Sequence, residues 1–369
     1  MNKEKMNTPD NIGTYFKFVS NDTGDTIEAI PEYISPLDYN SLIKAITGEA
    51  FSVSMQLSEK SKFNGNPLEG YTATLKSCFN KKTETVALSN DGWLPLIGIP
   101  RKSIILADSN MIGDMDAINR GIDNDKLSNN KLSNNKWWID RLLNKEVTIN
   151  PVLYAMEKYF GLAESKSSIH NFRAFFKEAR RYIRQYSHLL EVVRYRDKQY
   201  QIVYSEIESY KDQIEREIDF LITSSPLVHE NVSKKNKAQT RDDILDKARN
   251  LDILGKSLCP LLPMACLYET KASYKAARKV LKPKSIYTEK MARNTCMDMH
   301  FLRLFIYSLE SPGKNIYFCT GDYGLAAFWA ALLPIQYSSG KCTFSITEHL
   351  FPGLTEEERI KLGNEVFSS

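Results

Sequence analysis

The sequence predicts an α/β fold: a parallel sheet flanked by helices, interrupted by a long helical insertion and preceded by an N-terminal α+β module. Three observations predict it. Two short apolar runs, Lys102-Ser-Ile-Ile-Leu-Ala-Asp108 and Asn315-Ile-Tyr-Phe-Cys-Thr320, stop abruptly at polar residues. Continuous apolar runs of that length, bounded by polar residues, read as buried strands of a parallel sheet. A third short strand, Glu146-Val-Thr-Ile-Asn150, leads into a helix with Pro151 at its start and Gly161 past its end, the usual asymmetry of helix punctuation. Between residues 164 and 222 the pattern changes to a 4-3-4-3 spacing of apolar residues, a heptad seam.

The 369 residues allow two or three modules at ~150 residues each. Composition is 42% hydrophobic and 25% charged, which supports a sizeable core. Residues 1–100 read as the N-terminal module. Tyr15-Phe-Lys-Phe-Val19, Phe51-Ser-Val-Ser-Met-Gln-Leu57 and Tyr71-Thr-Ala-Thr-Leu75 alternate as half-exposed strands do. Ser35-Pro-Leu-Asp38 opens a helix that Gly48 stops. The Pro- and Gly-punctuated stretch 93–100 reads as a linker. The sheet domain then takes residues 101–161 and 251–369, and residues 162–250 form the inserted arm.

After Asn110 the tandem pentapeptide Lys126-Leu-Ser-Asn-Asn130 and Lys131-Leu-Ser-Asn-Asn135 reads as a surface loop. The heptad seam runs through Phe172, Phe176, Ala179, Ile183, Tyr186, Leu190 and Val193, then Tyr200, Tyr204, Ile207, Ile214, Ile218 and Leu221. Asp197 and Lys211 are its polar interruptions. With no Gly or Pro between 172 and 222, the arm is either one long helix or a hairpin bent near Asp197. A seam of this kind is also a potential homodimer contact.

The net charge is only +4, yet it is polarised. Residues 165–200 hold nine Lys/Arg and three Asp/Glu, a net of +6, so the remainder of the chain carries 4 − 6 = −2. Arg173, Lys177, Arg180, Arg181 and Arg184 lie at helical spacing beside Tyr182 and Tyr186. That stripe is either a phosphate-binding surface or a solvated face paired with the acidic residues of 206–219.

The six cysteines form no C-x-x-C pair and are spread over the chain, the pattern of reduced thiols in a cytoplasmic protein. The polar start lacks the apolar core of a signal peptide. The longest apolar run, 325–333, is far short of the ~20 residues of a membrane span, so no membrane partner is expected. The segment Leu258-Cys-Pro-Leu-Leu-Pro-Met-Ala-Cys-Leu-Tyr268 reads as core, with Glu269 as a surface or capping carboxylate just beyond it.

The chemistry lies at the strand ends. Carboxyl ends of parallel strands are where open α/β sheets bind ligands. If the runs ending at Asp108 and Thr320 are neighbours, Asp108 and Asp322 share one crevice. Two carboxylates that close repel unless a proton or cation lies between them. Glu157 on the helix after the third strand and Asp298 before the apolar turn of a later helix are further candidates. Asp114 and Asp116 read as loop acids. Carboxylate and amide oxygens suit Mg2+ or Mn2+, and no His/Cys spacing suggests zinc. Among the dispersed histidines, His300 would point away from Asp298 on a helix.

These motifs together resemble the PIN-domain nucleases. Asp108-Ser109-Asn110 matches the family's strand-ending Asp, hydroxylic residue and Asn. Thr148-Ile-Asn-Pro-Val-Leu-Tyr-Ala-Met-Glu157 matches its strand and Glu-bearing helix. Asp298 before Met299 and Phe301 matches its third acid, and Thr320-Gly321-Asp322 its Thr-x-Asp. The resemblance covers residues 101–161 and about 285–348, with ~140 residues between the second and third motifs in place of a few tens. It implies a PIN-like fold and a metal-dependent endonuclease, acting on RNA rather than DNA, with Asp108, Glu157, Asp298 and Asp322 as catalytic metal ligands. Asn110 and Thr320 would orient them or the substrate, and the basic arm would hold the strand. A nuclease with an added module and arm suggests a toxin or phage-defence effector, with the N-terminal module a site for a regulatory protein. The alternative is a catalytically silent PIN-like scaffold that binds RNA or a protein through the arm.

Overall fold

A computed structural model describes residues 16–19, 23–29, 31–57, 59–67, 71–75, 85–121, 139–140, 142–143, 145–162, 168–309, 315–332, 335–338, 341–344 and 346–367. The tandem pentapeptide lies outside them. The strands, in chain order, are β1 (Phe16–Val19), β2 (Thr26–Ala29), β3 (Pro31–Ile34), β4 (Phe51–Leu57), β5 (Lys62–Phe63), β6 (Asn66–Pro67), β7 (Tyr71–Leu75), β8 (Val86–Ser89), β9 (Gly92–Pro95), β10 (Ile104–Ala107), β11 (Thr148–Asn150), β12 (Glu191–Val192), β13 (Ile316–Thr320), β14 (Ile335–Ser338) and β15 (Lys341–Phe344).

The central sheet has six strands in the order β12-β11-β10-β13-β8-β9. β10 pairs in parallel with both β11 and β13, and β11 with β12, while β8 runs antiparallel to β13. β13 is buried at every position, and β10 at all but its first residue. A strand covered on both faces needs the continuous apolar run that these two show.

The N-terminal part holds two small sheets, β1-β2-β5-β6 and β3-β4-β7. β4 alternates buried and exposed residues along its whole length, as a strand with one wet face does. Helix α1 (Tyr39–Thr47) is capped by the Asp38 side chain, which accepts from the Ser41 N–H. It ends at Gly48 in the left-handed conformation. The expected boundary at residue 100 does not hold. The stretch read as a linker supplies strand β9, whose Trp93 is fully buried, and β8–β9 forms one side of the central sheet. Trp93 also bonds back to Leu37 ahead of α1. Pro and Gly here mark an edge strand, where a missing donor is tolerated.

The arm is neither one long helix nor a simple hairpin. Helices α2 (Ser109–Asn119) and α3 (Val152–Phe160) belong to the sheet domain. The seam then breaks into α4 (Ile169–Tyr186), the edge strand β12, α5 (Asp197–Ser209) and α6 (Lys211–Ser224). Both polar interruptions, Asp197 and Lys211, are the first residues of a new helix. The seam residues Phe172, Phe176, Ala179, Ile183, Leu190, Tyr200, Ile207, Ile214, Ile218 and Leu221 are buried within this chain. The apolar spacing marks core-facing stripes of separate helices, and it is consumed inside the fold.

The rest comprises α7 (Lys237–Asn250), α8 (Leu261–Tyr268), α9 (Ala276–Leu281), α10 (Glu289–Leu309), α11 (Tyr323–Ala331) and α12 (Glu356–Phe367). Every residue of α8 is buried, as its composition requires. Trp329 of α11 is also fully buried and donates its indole N–H to the Ser89 carbonyl of β8 at 3.0 Å. No helix among the described residues is long and apolar enough to cross a membrane.

Candidate active site

Adjacent strands β10 and β13 run in register, Ala107 opposite Cys319. Asp108 and Thr320 therefore emerge side by side at the carboxyl edge. The Asp108 N–H donates to the Cys319 carbonyl. Asp108 caps α2, accepting from the Asn110 N–H at 3.2 Å. Asp322 caps α11, accepting from the Leu325 N–H at 3.0 Å. A carboxylate at each helix start also meets the positive end of the helix dipole.

One hydroxyl links the two acids. Thr320 Oγ1 donates to Asp108 Oδ2 at 2.9 Å and accepts the Asp322 N–H at 3.0 Å. Thr320 is fully buried and Asp108 nearly so. The sequence pattern Thr-x-Asp is thus a geometric device: the residue that ends one strand holds the carboxylate that ends its neighbour and the backbone of the acid two residues on.

Asp298 is half-buried on α10. Burial pushes its carboxyl well above the usual range, and the charges of Asp322, Asp108 and Glu157 push it further, against the opposing pull of Lys282. Asp108 is raised mainly by burial and also by Glu157, while the bonds from Asn110 and Thr320 hold it down. Asp298 thus lies within the field of the other three predicted acids, and Asp108 within that of Glu157. Tyr274 borders Asp322, and burial together with that charge raises its hydroxyl to about 12. Lys279 lies 4.1 Å from the centre of the Tyr274 ring. Gly324 lets α9 approach: a Cβ there would lie 2.8 Å from Lys279 Cβ and 3.0 Å from Asp322 Oδ1.

A set of oxygen donors in surplus negative charge fits a hard divalent cation. The four acids offer only oxygen, which suits zinc less well; a thiol within the field of Asp108, that of Cys319, is fully buried in β13.

A groove of about 750 Å3 lies between α2, α3 and α4, lined by Asn110, Asp114, Glu157, Tyr154, Arg181 and Tyr182 among others; of the four acids Glu157 alone lines it. Asp114 and Asp116, expected on a loop, sit on α2, and Asp116 pairs with Arg120 at 2.6 Å. The basic stripe divides. Arg173 pairs with Asp197 at 3.1 Å and stacks on Tyr200. Arg180 is half-buried beside Tyr200. Lys177, Arg181 and Arg184 are exposed. Only Arg181 of the five lines the groove, stacked over Tyr182. Arg184 is held below its usual range chiefly by neighbouring Arg194, then by burial and Arg180, so positive charge accumulates there.

One reading changes. Glu269 is not a surface acid: its side chain is 7% exposed and takes Arg278 Nε at 2.8 Å. Beside the expectation that no His/Cys spacing suits zinc stands a buried cluster that could hold a metal ion. Cys296 and His300 lie one helical turn apart on α10, and with Glu217 of α6 their donor atoms all fall within 4.8 Å of one another. The i, i+4 spacing was the available signal; the third donor, 79 residues from Cys296 in sequence, left none.

No family model, curated protein or solved structure matches this chain.

Proposed function

We propose that the chain is a metal-dependent nuclease with a PIN-like active site, an endonuclease taking RNA in preference to DNA. The observation that carries the proposal is that Asp298 lies in the field of Asp108, Asp322 and Glu157, with Asp108 following the last residue of β10 at the carboxyl edge of the sheet. A bound Mg2+ or Mn2+ would supply charge neutralisation and an acidified water for phosphodiester hydrolysis. Asp108 and Asp322 are the principal ligands, preset by the shared Thr320 hydroxyl. Glu157 and Asp298 complete the set directly or through water. Asn110, exposed at the groove mouth, orients the substrate phosphate. Arg181, with Lys177 and Arg184 nearby on α4, draws the strand along the groove. The preference for RNA rests on the resemblance to PIN nucleases.

Asp108→Asn and Asp322→Asn should each keep the fold and abolish cleavage of a single-stranded RNA in Mn2+. Equal cleavage by both variants, or by wild type in excess EDTA, overturns the assignment. A toxin or phage-defence role predicts slowed growth on overexpression, relieved by Asp108→Asn.

A second reading, a catalytically silent scaffold, draws on the fact that Asp108 and Asp322 each cap a helix and so have a structural reason to be there. Calorimetric titration with Mn2+ separates the two: a scaffold gives no binding that Asp108→Asn removes.

A further inference from the structure

Behind α10, on the side away from the carboxylate crevice, lies a second cluster that the nuclease reading does not use. Glu217 is 1% exposed, Cys259 and Cys296 are fully buried, and His300 is 2% exposed. His300 Nε2 is 2.6 Å from Glu217 Oε2, and Cys296 Sγ is 3.2 Å from the same oxygen. The fully buried thiol of Cys259, from the turn ahead of α8, lies beside this group, within the field of Glu217. Two segments thus send one sulfur, one imidazole and one carboxylate to one buried point, and a third brings a second sulfur beside it.

From this we infer that Glu217, Cys259, Cys296 and His300 form a closed structural site for a zinc-class divalent ion. Zinc takes thiolate, imidazole and carboxylate ligands at about 2.0–2.3 Å in a tetrahedron, which puts donors about 3–4 Å apart. The donor atoms of Glu217, Cys296 and His300 lie within 4.8 Å of one another, a separation that side-chain rotation closes, and Cys259, which stands outside that group, would turn its thiol inward to supply the fourth ligand. The donor types differ from those of the crevice in the way metal choice requires: sulfur and nitrogen select a softer ion than oxygen alone.

The surroundings hold the ligands in place. Gln213 Nε2 donates to Glu217 Oε1 at 2.7 Å and to the Lys256 carbonyl at 2.7 Å. Ser257 accepts the Cys259 N–H at 3.0 Å. Outer partners of this kind are the normal support of a metal ligand. A buried Glu–His pair is by itself a weak source of stability, since desolvation offsets the attraction. An ion bound by four side chains from α6, the 257–259 turn and α10 would fasten the end of the arm to the helix that carries Asp298. Cys296 and His300 occupy one face of α10 and Asp298, two residues from each, another. The site is structural, with no ligand position left for substrate, and it stands whether or not the chain is a nuclease.

The test uses the full-length chain purified without chelator. Elemental analysis should find about one zinc per chain, retained in Asp108→Asn and Asp322→Asn. It should be lost in Cys259→Ser/Cys296→Ser. Variants at a buried site can misfold, so the second measurement uses wild type alone. Cobalt added to the zinc-stripped protein should give thiolate-to-cobalt charge-transfer absorption and the intense visible bands of tetrahedral Co2+, both abolished by one equivalent of zinc. No zinc at purification, together with cobalt spectra lacking charge transfer, overturns the inference. So does full zinc content in the double Ser variant, or a Cys259–Cys296 disulfide in the protein as isolated.

Discussion

Thr320→Val tests the hydroxyl that connects the two strand-end acids. Valine keeps the shape of threonine, so no cavity forms, and the position is fully buried, so water cannot substitute. Two bonds are lost: the donor to Asp108 Oδ2 at 2.9 Å and the acceptor for the Asp322 N–H at 3.0 Å. A hydrogen bond to a charged group contributes about 1.5–3 kcal/mol and one between neutral groups about 0.5–1.5 kcal/mol. The variant should therefore lose about 2–4 kcal/mol, or about 3–5 °C in Tm for a chain of this size. Thr320→Ser is the control. It keeps the hydroxyl and removes one methyl, at about 1 kcal/mol. The assay is calorimetric unfolding without divalent cations, followed by Mn2+ titration of the folded variants. The expected order of stability is Thr, Ser, Val, with Mn2+ affinity falling only in Val. If the Val protein unfolds at or above the Ser protein, the hydroxyl does not tie the acids together and the account of the Thr-x-Asp pattern is wrong.

Asp298→Asn should stabilise the cation-free protein at neutral pH, since burial and the charges of Asp322, Asp108 and Glu157 all disfavour the ionised carboxyl; a drop in Tm would show that Asp298 is not under repulsion. The raised carboxyls of Asp108 and Asp298 also fix a pH dependence. Their unfolded forms ionise near ~3.9, while the folded forms keep their protons to higher pH. Between those limits the folded state binds more protons, so cation-free stability falls as pH rises, and saturating Mn2+ should flatten the slope; a pH-independent Mn2+ effect on Tm would count against the site. Gly324→Ala would ordinarily favour a helix by about 1 kcal/mol, but its Cβ meets Lys279 Cβ at 2.8 Å. Overpacking should win by about 1–3 kcal/mol, and a stabilised variant would mean that α9 and α11 are not in such close contact. Replacing Lys177, Arg181 and Arg184 with Gln should lower the log–log salt slope of RNA binding by about 2, at ~0.7 per contact. Arg173→Gln, already paired with Asp197, should leave that slope unchanged and cost stability instead; equal effects of the two would dissolve the division of the stripe.

How much of this was legible in the sequence depended on whether the determinant was local. The strands ending at Asp108 and Thr320 were legible because burial on both faces forces continuous apolar runs. Helix α3 was legible from Pro151 and Gly161, and α1 from Asp38 and Gly48. The fate of residues 86–95 was not. Nothing local says that a Pro- and Gly-marked stretch pairs with a strand more than 200 residues later in the chain, and Thr320 opposite Val86 is a purely tertiary fact. The arm failed in a more instructive way. Its heptad spacing was right about which side chains are buried and wrong about what buries them. Spacing records a stripe, and a stripe packs equally well on a partner helix or on the body of its own chain. The information that decided between these was present, in Asp197 and Lys211: a polar residue in an apolar seam is where the helix ends and the next begins.

The same distinction governs the two clusters on α10. Asp298 was found because it sits in a recognisable order of strand-end acids. Cys296 and His300 flank it at two residues on either side and were passed over because their partners, Glu217 and Cys259, come from other segments. Two residues along a helix is a rotation of ~200°, so one short stretch necessarily presents its acid and its Cys/His pair to opposite sides. A helix that takes hard oxygen donors to one face and soft donors to the other can hold two different ions without competition between them. Removing the rear ion should therefore loosen α10 and weaken Mn2+ binding in front while the four carboxylates remain unchanged in kind. Measuring Mn2+ affinity in zinc-stripped and zinc-restored wild type would show this directly, and identical affinities would mean that the sheet and Thr320 alone hold Asp298 in place.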